Sequence, residues 1–162
     1  NMSPTDFVEK GDKEKRLSVK YNKKVKFFDL EVDVIPDFTD NAQGYTGFMV
    51  KFVYDENQKL ILRFRKNGQI DFYTPKELGR IRNIGMELTK PYKVIFSVRN
   101  NMFKLKIKQN KKEFTVEPPK VKSDFNKLAD GFIDSEKSLS LTTHIRTSPL
   151  YIKNITIKKY SE

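Results

Sequence analysis

The sequence predicts an all-β protein, an antiparallel β-sandwich of about ten or eleven short strands with almost no helix. Three observations carry this. Apolar and polar residues alternate with a period of two along most of the chain. Short Asn, Asp and Gly turn signals punctuate that alternation at hairpin spacing. Two three-stranded meanders each present one apolar face, which neither can bury alone.

The first meander is KPYKVIFSVRNNMFKLKIKQNKKEFTV, Lys90 to Val116. Asn100-Asn101 and Asn110-Lys111 sit where two-residue hairpin turns belong, and Asn tolerates the positive φ such turns need. This register sets Val98 opposite Phe103, Phe96 opposite Leu105 and Val94 opposite Ile107. It then sets Ile107 opposite Phe114 and Leu105 opposite Val116. Lys104, Lys106 and Lys108 fall together on the other face. A slip of one residue would destroy the match.

The second meander runs from Phe48 to Thr74. A three-residue loop at Asp55-Glu56-Asn57 sets Phe48 opposite Phe64, Val50 opposite Leu62 and Phe52 opposite Leu60. A second loop, Lys66-Asn67-Gly68, has Gly at the left-handed position and sets Phe64 opposite Ile70 and Leu62 opposite Phe72. Arg63 then faces Asp71 across strands.

The remaining elements follow in order. Residues 1–15 are polar and are expected to form a flexible arm, with residues 16–160 as one sandwich domain. In KVKFFDLEVDVIP, Phe28, Leu30, Val32 and Val34 share one face, Asp29, Glu31 and Asp33 the other, and Pro36 ends the strand. Asp37 to Gly47 reads as a loop. Thr74 to Thr89 is a connection with a short strand around Gly79 to Ile84. Pro118-Pro119 stops the first meander, and one helical turn fits near Phe125 to Leu128. Leu139, Leu141, Thr143 and Ile145 alternate, and LYIKNITIKKY forms the final strand.

Composition narrows function. With no Cys, disulfides, thiolate metal sites and Cys nucleophiles are excluded, which slightly favours a reducing, intracellular compartment. No apolar run spans a bilayer, and no signal-type apolar segment follows Met2. Thirty-two basic and 21 acidic side chains give a net charge of +11, which favours acidic partners. No cofactor or metal motif occurs. Asn154-Ile155-Thr156 matches a glycosylation sequon inside a strand.

The outward face of the second meander gathers Lys51, Arg63, Arg65, Asp71 and Tyr73, the candidate ligand-binding residues. Guanidinium and ammonium groups beside an aromatic ring suit a carboxylate, sulfate or phosphate. The plainer reading is a solvated face with Arg63 neutralised by Asp71. The ladder Lys104-Lys106-Lys108 offers nucleic-acid backbone contacts but lacks interleaved aromatic residues, so a charged, solvated strand is favoured there. Asp29, Glu31 and Asp33 match the alternate placement of acids in sandwich glycosidases, yet no general acid or Trp platform accompanies them. His144, the single His, has no second ligand or nucleophile beside it and reads as structural.

Tyr92-Lys93-Val94-Ile95-Phe96 followed by Phe103-Lys104-Leu105-Lys106-Ile107 resembles the F-x-V-x-V hairpin of galectin-type, concanavalin A-like jelly-roll sandwiches. Leu150 to Ile157 resembles their closing L-x-I-x-G-D-V-x-L strand. The resemblance spans Arg16 to Tyr160 and implies a lectin-like fold. That family's galactoside site uses His-x-Asn-x-Arg, a further Asn and Trp-x-x-Glu. The corresponding strands here offer Met49, Lys51, Val53, Arg63, Arg65, Asp71 and Tyr73, so the galactoside motif is absent.

The expectation is therefore a non-catalytic lectin-like binding module that mediates protein–protein interaction through a basic sheet face or a sheet edge. The alternative is a carbohydrate-binding module for acidic or sulfated glycans. Nucleic-acid binding and glycoside hydrolysis rank below both.

Overall fold

In the computed structural model, which describes residues 7–11, 17–37, 47–74, 77–100, 102–116, 131–143 and 150–161, the alternation resolves into twelve strands. They form two antiparallel sheets. One has seven strands in the order β1 (Phe7–Gly11), β2 (Leu17–Tyr21), β11 (Ser138–Thr143), β4 (Gly47–Tyr54), β5 (Gln58–Arg65), β6 (Ile70–Tyr73) and β7 (Glu77–Ile81). The other has five, in the order β10 (Lys112–Val116), β9 (Met102–Gln109), β8 (Tyr92–Arg99), β3 (Phe27–Pro36) and β12 (Leu150–Tyr160).

Both meanders form in the register that their turn residues imposed. Val98 pairs with Phe103, Phe96 with Leu105, Val94 with Ile107, and Ile107 with Phe114. Phe48 pairs with Phe64, Phe52 with Leu60, and Leu62 with Phe72. Asn57 (φ 74°), Gly68 (φ 87°) and Asn110 (φ 55°) supply the left-handed backbone of three turns. The apolar faces meet between the sheets. Phe96 of β8 is the hub, with ring centroids 5.3 Å from Phe52, 6.2 Å from Phe28, 5.8 Å from Phe103 and 6.3 Å from Phe132.

Three elements differ in detail from expectation. Within the 1–15 arm, Phe7–Gly11 pairs with β2 as an edge strand, Phe7 opposite Tyr21 and Gly11 opposite Leu17. Backbone pairing makes this strand; its side chains show almost no pattern. The short strand expected around Gly79 to Ile84 begins earlier, as β7, after a bulge between Phe72 and Tyr73. The final strand carries a bulge between Lys153 and Thr156, where Asn154 of the sequon takes φ 53° and donates through Nδ2 to Asp33 at 2.7 Å. The helical turn expected near Phe125 to Leu128, and His144 and Ile145, lie outside the described residues; a helical turn does occur at 131–134.

That turn plugs one end of the sandwich. Phe132 sits edge-on to Phe52 at 5.2 Å and to Tyr54 at 5.4 Å. Beside it the fully buried Lys137 donates through Nζ to the carbonyls of Lys26 (2.9 Å), Ile133 (3.2 Å) and Ser135 (2.6 Å). Backbone bonds between Val25 and Lys137 complete the closure. A buried ammonium survives here because three carbonyl oxygens replace its water.

Candidate functional site

Alternation places the even-numbered apolar residues of β4 and β5 in the core, which turns Met49, Lys51, Ile61, Arg63 and Arg65 to the outer face of the seven-stranded sheet. Antiparallel pairing then builds a row across that face: Thr142, Met49, Arg63, Asp71 and Arg80. A second row holds Ser140, Lys51, Ile61 and Tyr73.

At the centre, Asp71 is only 3% exposed. Arg63 donates through Nε to its Oδ2 at 3.0 Å, with Nη2 also 3.0 Å away. Arg65 reaches diagonally and donates through Nε to the same oxygen at 2.7 Å. Gln69 donates through Nε2 to Oδ1 at 2.7 Å. Burial opposes ionisation of Asp71, but hydrogen bonds from Gln69, Arg65 and Arg63 outweigh it and hold the carboxyl below its ordinary range. Arg63 also lies 5.1 Å over the Tyr73 ring, and the Tyr73 hydroxyl donates to Met49 Sδ at 3.4 Å. Burial pushes the Tyr73 phenol up.

Four of the five predicted site residues therefore touch one another. Lys51 lies in the neighbouring row, between Ser140 and Ile61. Three basic groups against one carboxylate leave an excess of two positive charges in the predicted set. The carboxylate does more than cancel charge: it holds two guanidinium planes in fixed positions, with side chains 16% and 22% exposed. Among the described residues Arg65 commits only Nε to Asp71. Gln69 and Arg80 are members that sequence reading passed over. Their signal was spacing: Gln69 lies two residues before Asp71 on the same face, while Arg80 required the position of β7.

The outer face of the five-stranded sheet unites two patches that look separate in sequence. β8 lies between the acidic row of β3 and the lysine ladder of β9, with Asp29–Ser97–Lys104, Glu31–Ile95–Lys106 and Asp33–Lys93–Lys108 as cross-strand rows. Lys93 approaches Glu31 at 3.6 Å and Asp33 at 3.8 Å, and Lys106 approaches Glu113 at 3.2 Å. Asp29 receives Arg99 Nη2 at 2.8 Å and the Tyr160 hydroxyl at 2.5 Å, and Arg99 stacks 3.6 Å from the Tyr160 ring. Burial would raise the Asp29 carboxyl, but bonds from Arg99, Tyr160 and Ser97 overcome it and lower it to about 2. A carboxyl held so low does not serve as a proton donor near neutrality. Acids interleaved with the lysines also make this face a poor match for a uniform phosphate backbone. Among the described residues no group of three His, Asp or Glu side chains is arranged to hold a metal ion, and no helix is long and apolar enough to cross a membrane.

No family model matches this sequence, and no curated protein matches it. Solved structures do. The chain is similar to the carbohydrate binding module CBM66 from Bacillus subtilis, with a TM-score of 0.58 and 11% identity over 94% of this chain and 92% of that one. It is similar to lectin II from Ulex europaeus, with a TM-score of 0.62 and 8% identity over 96% and 88%. It is also similar to the alginate lyase from Klebsiella pneumoniae, with a TM-score of 0.52 and 10% identity over 99% and 78%. Two antiparallel sheets packed through the Phe28–Phe52–Phe96 cluster, together with these likenesses over nearly the whole chain, give this chain a concanavalin A-like β-sandwich fold.

Proposed function

We propose that this protein is a carbohydrate-binding module for acidic or sulfated glycans, acting through the outer face of the seven-stranded sheet. The observation that carries the reading is the Arg63–Asp71–Arg65 cluster, in which one buried carboxylate orients two guanidinium groups. Guanidinium donors fixed before the ligand arrives lose little freedom on binding, which favours a planar carboxylate or a sulfate. Arg65 makes the direct contact, Arg63 and Tyr73 flank it, Gln69 and Asp71 hold the guanidinium planes, and Lys51 adds long-range attraction. Carbohydrate stands ahead of the expected protein partner because lectins and a carbohydrate binding module share this fold. A protein ligand using the same face is the competing outcome.

Arg65→Ala is the test, because it leaves the Arg63–Asp71 pair in place. Binding to heparin-type and uronate-rich polysaccharides, measured by calorimetry, should weaken about tenfold in this variant. Raising salt from about 0.05 to about 0.5 M should weaken the wild type as strongly. Equal affinity for neutral and sulfated polymers would remove the reading. A stoichiometric protein partner lost in Arg65→Ala, with no glycan bound, would assign the face to protein recognition.

A further inference from the structure

Away from the Asp71 carboxylate, three segments border an open cleft of about 480 Å3. That is within the ~300–1,000 Å3 of small-molecule sites and has room for a sugar ring. Its first two walls are the β5–β6 turn and the 82–90 segment, joined by Ile84 N–H to the Gly68 carbonyl (3.1 Å) and Leu88 N–H to the Lys66 carbonyl (3.2 Å). Gly68 permits this approach: a Cβ there would lie 2.5 Å from the Met86 carbonyl oxygen, and its φ is +87°. The third wall is the β9–β10 turn. It is fastened by Gln109, whose Nε2 donates to the Glu87 carbonyl at 2.6 Å and reaches those of Lys90 and Pro91 at 3.3 and 3.4 Å.

The fastening decides which polar atoms face the cavity. Gln109 is 8% exposed and lines the cleft; with its amide nitrogen committed to carbonyls, its Oε1 is the atom it can offer a ligand, as an acceptor. Asn67 accepts the Gln69 N–H at 3.1 Å and Asn83 accepts the Gly85 N–H at 2.7 Å. Both amides thereby turn their oxygens toward their own turns, which leaves Nδ2 as the donor these two lining residues can offer a ligand. Lys112 spans the opening, its Nζ 3.5 Å from the Gly85 carbonyl. Glu87 is occupied at the rim by Lys90, 3.3 Å away.

The cleft therefore offers asparagine amides and the Lys112 ammonium alongside the Gln109 acceptor, with the Glu87–Lys90 pair at its rim. A simple oxyanion would satisfy the donors but set its lone pairs against Gln109 Oε1. A neutral sugar would leave Lys112 without a counter-charge. A ligand carrying both a carboxylate and hydroxyl donors satisfies all of them. We infer that this cleft is a second ligand site, specific for a single sugar acid of hexuronate size. Its carboxylate lies against Lys112 and the Asn67 and Asn83 amides, and a ring hydroxyl donates to Gln109 Oε1. The inference stands without the reading of the Asp71 face.

The test is titration of 15N-labelled protein with sodium glucuronate, with glucose and sodium sulfate as controls at equal ionic strength. Glucuronate should shift the side-chain amide signals of Asn67, Asn83 and Gln109 saturably, while glucose and sulfate leave them in place. Lys112→Ala and Asn83→Ala, both at exposed positions, should each keep the folded spectrum, and Lys112→Ala should weaken glucuronate about tenfold. An equal response to sulfate, shifts confined to Arg63, Arg65, Asp71 and Tyr73, or undiminished binding in Lys112→Ala would each overturn the assignment.

Discussion

Replacing Asp71 with Ala should cost the fold about 3–5 kcal/mol, measured as the shift in urea unfolding at neutral pH. The loss follows from what remains. Arg63 and Arg65 both converge on Asp71 Oδ2, and neither side chain is more than about a fifth exposed. Without the carboxylate, two guanidinium groups repel each other in a half-buried setting, and the Gln69 amide loses its acceptor. Asp71→Asn should cost less, because one acceptor oxygen survives, but its new NH2 faces donors on both sides. Acid provides a second readout. The carboxyl is held below its ordinary value of 3.8 in the folded state, so its contribution is complete above that value and is lost as pH falls below it. The acid limb of the stability curve should be flatter in Asp71→Ala than in the wild type. A cost under about 1 kcal/mol would show the cluster behaving as an exposed ion pair.

Phe96→Ala should be of similar size, about 3–5 kcal/mol, for an unrelated reason. Phe96 is fully buried in a central strand of the five-stranded sheet, and its ring meets four others from both sheets and the 131–134 turn. Truncation removes the transfer energy of the ring and leaves a cavity whose walls belong to different elements, so no single shift can fill it. Against a typical total of about 5–15 kcal/mol, this would leave a marginal domain. Phe96→Leu should recover much of the loss. Thermal unfolding with near-UV circular dichroism separates the two variants, and a Phe96→Ala loss below about 1.5 kcal/mol would refute the hub assignment.

How much of this was legible depended on distance along the chain. The two meanders were readable to the residue because each strand follows its neighbour, the turns carry Asn or Gly, and any slip would expose Phe or Leu. The Arg63–Asp71 pair came with them. The Arg65 and Gln69 contacts did not, because diagonal reach depends on side-chain direction that alternation leaves undetermined. Strand order was also hidden. Nothing local says that β3 lies between β8 and β12, so the acidic row and the lysine ladder looked like separate patches. β1 was missed because backbone pairing at a sheet edge needs little apolar pattern. The cleft escaped notice because its walls come from both sheets and read along the chain only as a loop, a connection and a turn.

The same interleaved order bears on synthesis at the ribosome. β11 lies between β2 and β4, and β12 is the outer partner of β3, so neither sheet is complete until Ser138–Tyr160 has emerged. Until then a nascent chain carries a β4 edge without β11 and a β3 edge without β12. Such long-range pairing is slow to reach, and the open strand edges it leaves until then are prone to sticking.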